Sequence, residues 1–205
     1  MRKFLSRVKT INKKTMLLGE IAEITTGLNY KQKDLTDNPL DIPLIQVKDI
    51  QNNTLHKNTV ININKEYIDK RLMLKPQDIL FAAKGNRNFA YHYQGELGAA
   101  TPSSTFFILR IKENDVLPDY LTWYLNSKPA QDFFRDGVHG TFIPSISKAV
   151  ISKMNIPIPD IETQVMIIKL GSWQIVEKSL AEQIINKRAI LINEIINRKL
   201  SNSNE

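Results

Sequence analysis

The chain has 205 residues, 28 Lys or Arg against 21 Asp or Glu, and no cysteine, so disulfides and thiolate metal sites are excluded. That length allows one domain with an appendage, or two small domains, and it buries a core without covalent staples. The net charge of +7 lies wholly before residue 160, with 22 basic against 15 acidic residues through Pro159. A polyanion-binding surface needs such a bias to displace counterions from phosphate, although many proteins carry as much for solubility alone.

Residues 1–15 read as a basic extension: MRKFLSRVKTINKK holds six basic residues and no acid. It lacks a continuous apolar run and a small-residue cleavage site, so it is not a secretory signal. Nowhere does an apolar stretch reach the roughly 18 residues of a membrane span, and the expectation is a soluble, cytoplasmic protein with no membrane partner.

Residues 16–159 read as a globular α+β domain. DIPLIQVKDI, LHKNTVININ, QDILFAAKG and SSTFFILRI are short β-branched and aromatic runs flanked by turn formers, which predicts strands. A polar loop with Asn29, Tyr30, Lys31 and Lys33 follows Gly27, and strand alternation puts Gln46 and Lys48 on one face. Next comes AKGNRNFAYHYQ, residues 83–94, where Gly85 permits a turn that throws Lys84, Asn86, Arg87 and Asn88 outward. Arg87 has the chemistry to bridge guanine O6 and N7, Asn86 and Asn88 to pair with adenine, and Lys84 to hold phosphate. With Tyr91 beside them they form a candidate DNA surface; the plain alternative is a solvated hairpin with Phe89 and Tyr91 turned into the core. Ser103 and Ser104, and Thr141 in the loop His139 to Phe142, add hydroxyls suited to phosphate, though each alone is more often a turn. DYLTWYLNSKPAQDFFRD spaces Tyr120, Leu121, Tyr124 and Leu125 as a helix that Pro129 interrupts or restarts and Gly137 ends.

After IPIPD the pattern becomes helical over residues 160–200, with Asp160 as N-cap, Glu162 in the first turn and a polar tail at 201–205. At 1.5 Å per residue this helix is about 60 Å long, too long to hide its apolar stripe against one small domain. In one reading it breaks at Gly171–Ser172 and folds back on the core. In the other, Leu180, Ile184, Leu191 and Ile195 form a seam against a helix of another chain, with Ile185, Ile190, Ile192 and Ile196 widening the face. Trp173 is expected to pack the helix onto the preceding domain.

Signatures of chemistry are missing. Asp37-Asn38-Pro39-Leu40 lacks the second proline and the aromatic of an adenine methyltransferase, and reads as a turn. There is no GxxxxGK[ST], no glycine-rich cofactor loop and no [DE]-x-K pair, and His56, His92 and His139 match no ligand spacing. No enzyme activity, cofactor or metal is expected.

In order, LLGEIAEITTGLNYKQKD, IPLIQVKDI, LKPQDILFAAKG, GAATPSSTFFILRI, LPDYLTWYLNS and ISKMNIPIPDIETQVMIIKL resemble the specificity subunits of type I restriction-modification systems, from about Leu17 to Leu200. No single motif is diagnostic; the six in order make a strong resemblance. The resemblance implies a target recognition domain that reads half of a split site in double-stranded DNA. It also implies a conserved spacer helix that pairs as an antiparallel coiled coil, and partners in adenine-methylating modification subunits and the restriction subunit. Members usually carry two such domains and two helices, whereas this chain holds one of each. That implies a homodimer, a silent cassette that acts only as an interaction protein for modification subunits, or a piece of a longer chain.

Overall fold

The computed structural model describes residues 14–85, 87–136 and 144–201. They divide into two compact units, one running through Gln164 and one from Val165 onward. The first unit opens with β1 (Lys14–Leu17), α1 (Leu18–Ile21), β2 (Ala22–Thr26) and β3 (Leu35–Thr36). Then come β4 (Ile42–Ile45), β5 (Ile50–Gln51), β6 (Thr54–Leu55), β7 (Ile61–Ile63), β8 (Ile79–Ala82), β9 (Ala90–His92), β10 (Thr101–Pro102) and β11 (Phe106–Ile111). It closes with α2 (Pro118–Leu125), α3 (Lys128–Asp136), α4 (Lys148–Ser152), β12 (Asn155–Ile158) and the first turn of α5 (Ile161–Ser201).

The central sheet has the order β2-β11-β8-β9, all antiparallel. Its inner strands β8 and β11 are apolar on both faces because both faces are covered. Ile79, Phe81, Phe107 and Leu109 point into a core closed by Leu18, Leu121, Phe134 and Ile151 of the helices. Their neighbours Leu80, Ala82, Phe106 and Ile108 point the other way, onto Ile45, Leu74, Tyr93 and Ala100. On that second side Arg110 bonds the buried Asp78 with Nε (3.0 Å) and Nη2 (3.0 Å), and also reaches the carbonyls of Arg71 (2.9 Å) and Met73 (2.6 Å).

The β9 edge is closed by a side chain. Asn126 accepts from the Ala90 N–H (3.0 Å) and donates to the Ala90 carbonyl (2.8 Å), as a neighbouring strand would. A second sheet, β10-β4-β7-β3, lies around Leu28, Leu44 and Ile63. Asn52 and Asn53, with φ of 49° and 59°, make the tight turn between β5 and β6, a conformation that Asn tolerates better than other non-glycine residues.

Several sequence expectations shift. Lys14 and Thr15 are not extension but the start of β1, paired with Ile158 and Pro157 of β12. DIPLIQVKDI holds β4 to Ile45 and reaches β5 only at Ile50, with a 3-10 turn between, and LHKNTVININ splits between β6 and β7. Pro129 marks a restart: it is the second residue of α3, where its missing N–H costs no helical bond.

The junction to α5 is fully bonded. Asp160 accepts from the Thr163 N–H (2.8 Å), and that bond holds its carboxyl below the usual carboxylate range. The buried Gln164 accepts from the Leu117 N–H (2.9 Å) and donates to the carbonyls of Asp115 (2.7 Å) and Pro159 (2.8 Å). From there α5 continues unbroken for 41 residues. Gly171–Ser172 does not interrupt it; Ser172 Oγ donates back to the Lys169 carbonyl within the helix (2.8 Å). Trp173, expected to pack the helix onto the preceding domain, is 67 % exposed. Among the described residues no helix is long and apolar enough to cross a membrane.

Candidate nucleic-acid interface

Three loops leave the first unit beside one strap, residues 101–106. At the end of β2, the Gly27 N–H donates to Phe106 (3.0 Å), Leu28 to Pro102 (2.8 Å), and Ser104 back to Leu28 (2.7 Å). Gly27 has no alternative here, because a Cβ would lie 2.3 Å from the Ser103 carbonyl oxygen. At the end of β4, Ser103 donates to Ile45 (2.9 Å); at the end of β8, Ala83 donates to Thr105 (2.9 Å). The loops that follow β2, β4 and β8 carry Lys31 and Lys33, Gln46 and Lys48, and Lys84, Arg87 and Asn88. Candidates scattered over more than fifty positions of sequence are thereby gathered at one end of the sheets.

Lys31, Lys33, Lys48, Lys84 and Arg87 are all exposed. Lys84 forms an isolated bridge with Ser145, and Gly85, at φ +118°, turns the chain so that its N–H reaches the Pro144 carbonyl (3.0 Å). Arg87 is held over the Phe89 ring at 5.7 Å from its centroid, and Phe89 meets Phe106 edge-on. The guanidinium is therefore presented from a ring anchored in the core.

Gln46 and Lys48 do not share a strand face, since Lys48 sits on a 3-10 helix, Val47–Asp49, that begins directly after Gln46. They meet by another route, in a polar cleft of about 590 Å³ that Tyr30, Gln32, Thr36 and Asp37 also line. Gln46 Nε2 donates to the Tyr30 hydroxyl (2.8 Å). Gln32, Thr36 and Asp37 were missed in the sequence, where nothing marks them as more than loop polar residues.

Three expected contacts turn inward. Tyr91 is buried and its hydroxyl donates to Glu96 Oε1; burial first, then the Glu96 bond, pushes its pKa well above the tyrosine range. Asn88 is half-buried and braces the turn, donating Nδ2 to the Ala82 carbonyl (2.9 Å). Ser103 is buried and shares its hydroxyl with Thr105 Oγ1 (2.6 Å), while Ser104 stays half-buried in the strap. Tyr91, Asn88 and Ser103 spend these bonds within the fold. Asn86 and the loop with His139 and Thr141 lie outside the described residues. Among the described residues no group of three or more His, Asp or Glu is placed to hold a metal ion.

On α5 the seam residues lie open: Leu180 is 53 % exposed, Ile184 53 %, Leu191 56 % and Ile195 52 %.

Residues 11–194 match the model of the type I restriction modification DNA specificity domain. The chain belongs to that family. Solved structures agree on the fold of the specificity domain. The HsdS subunit from Thermoanaerobacter tengcongensis superposes with a TM-score of 0.60 at 18% identity, over 82% of this chain and 38% of that one. The type I restriction-modification S subunit from M. genitalium gives 0.57 at 11% identity, over 80% and 39%. A chain from a structure of complex assembly and conformational transition of the type I R-M system gives 0.60 at 17%, over 82% and 40%. The specificity domain described here thus spans about two-fifths of the length of these neighbours. No curated protein matches it.

Proposed function

We propose that this chain is a DNA-reading half of a type I specificity subunit, acting by position and without chemistry of its own. The loops after β2, β4 and β8 approach one half-site of a duplex. Lys31, Lys33, Lys48 and Lys84 hold phosphates, while Arg87 and Gln46 read base edges in the major groove. The helix α5 pairs antiparallel with the same helix of a second copy around a two-fold axis. The length of the pair sets the distance between half-sites, as dimer geometry does in other DNA readers. Modification subunits, and through them the restriction subunit, dock on this frame and act on adenines that the reader has selected.

The observation that carries this reading is the gathering of five exposed basic residues and a polar cleft at one end of the unit, in a chain of the specificity family. Selection from a randomised duplex library by the full chain tests it. Enrichment of an interrupted, symmetric motif is the expected result, with affinity falling steeply as salt rises. The exposed seam of α5 also suits a second reading, a silent partner that binds modification subunits through the helix alone. Binding without any enriched motif would favour that reading.

A further inference from the structure

Gln46 is held at both ends. Its N–H donates to Asp49 Oδ2 (2.8 Å) and its carbonyl accepts from the Asp49 N–H (3.0 Å), so the backbone is locked to a side chain that is itself fully buried. The other Asp49 oxygen accepts from Thr59 Oγ1 (2.7 Å), which fixes that carboxylate in turn. At the far end Nε2 donates to Tyr30, whose ring packs against Leu28, Leu44 and Ile63. A free glutamine on a loop samples many rotamers and loses that freedom on binding; this one has surrendered it during folding.

A carboxamide offers two N–H donors and a carbonyl acceptor. With one N–H spent on Tyr30, one donor and the acceptor remain on a side chain that lines a cleft shared with Gln32 and Lys48; when Tyr30 takes the N–H trans to the carbonyl, that donor and acceptor lie side by side. In the major groove only adenine presents an acceptor beside a donor, N7 and N6; guanine shows two acceptors, cytosine a single donor, thymine an acceptor and a methyl. We propose that Tyr30 and Gln46 form one base-reading unit, in which Gln46 takes the N6–N7 edge of an adenine and Tyr30 is the positioning residue that aims it. The inference rests on the DNA-reading function proposed above and adds to it which residue reads, which holds, and which base is read.

The same duplex selection decides the matter when run with the full chain and three variants. Gln46→Ala should relax the preference at a single adenine position by roughly 5- to 100-fold and leave the other positions intact. Tyr30→Phe keeps the ring in the core and deletes only the hydroxyl; it should relax that same position by roughly 2- to 10-fold with no change in thermal midpoint. Gln46→Glu, which can only accept, should move the preference there towards cytosine. A motif that all three variants retain unchanged would overturn the proposal while leaving the DNA-reading function standing, as would a uniform loss across every position. Relaxation by Gln46→Ala without any effect of Tyr30→Phe would remove Tyr30 from its role. If the unaltered chain enriches no motif, the DNA-reading function itself falls and this inference falls with it.

Discussion

Ile79 and Leu80 of β8 are wholly buried, whereas Leu180 and Ile184 of α5 leave 53 % of their surface in water. The first unit closes its own core because the inner strands of its sheet are apolar on both faces, with helices on one and a second apolar layer on the other. It also closes its polar loose ends: Asn126 caps the sheet edge, Arg110 meets Asp78, Gln164 has all three partners. The described residues of the second unit form one helix, α5, whose apolar seam lies open. At about 25 cal/mol per Å² of apolar surface, covering a seam of four Leu and Ile side chains would be strongly favourable. One chain therefore combines a part that closes its own core with a part whose apolar seam lies open, which the proposed pairing would cover.

The largest expected effect separates the two. Ile184→Asp with Leu191→Asp should weaken self-association by more than about 4 kcal/mol, since each buried aliphatic side chain in such a seam is worth roughly 2–5 kcal/mol. Sedimentation equilibrium measures this, and thermal melting of the first unit should not move. The converse break is Arg110→Met, which leaves the Asp78 carboxylate buried without its cation. It should cost the first unit about 3–5 kcal/mol by denaturant titration and leave association of the folded chain unaltered. Arg87→Ala touches neither fold nor seam; it should weaken binding to the selected duplex by roughly 1–3 kcal/mol with little change on unrelated duplex, read by fluorescence anisotropy at fixed salt. Equal weakening on both would assign Arg87 to phosphate.

The smallest effect is a pH dependence confined to the first unit. Burial pushes the Tyr120 hydroxyl, which donates to the Pro157 carbonyl (2.6 Å), up to about 12. Because its folded pKa lies above the unfolded value near 10, its stability contribution is complete below pH 10 and is lost between about pH 10 and 12. Tyr120→Phe should make the fall in melting temperature across that window shallower without abolishing it, because burial also pushes up Tyr91, Tyr93 and Tyr124.

Much of this comparison was legible in the sequence, and for different reasons in the two units. The helix was readable because its period persists for forty residues, and its competitor, a break at Gly171–Ser172, rested on the weak helix propensity of two residues in a long periodic run. In the first unit β8 and β11 were readable as apolar runs. The strands β1, β2, β9 and β10 are too short or too polar to announce themselves, and they exist because partners hold them. The basic loop residues were found by type, yet type does not say which way a side chain turns. Asn88 and Tyr91 turn inward to serve Ala82 and Glu96, pairings fixed by the hairpin. Gln46 was singled out for the wrong reason, strand alternation; its place beside Tyr30, sixteen residues earlier, follows from the strap that joins β2 and β4.

Light scattering of the intact chain behind a sizing column tests the central claim most directly, that the second unit is completed by a second copy. The prediction is a mass twice the 23.5 kDa of one chain, falling to 23.5 kDa in the Ile184→Asp, Leu191→Asp variant. An intact chain that scatters at 23.5 kDa across the micromolar range would contradict it.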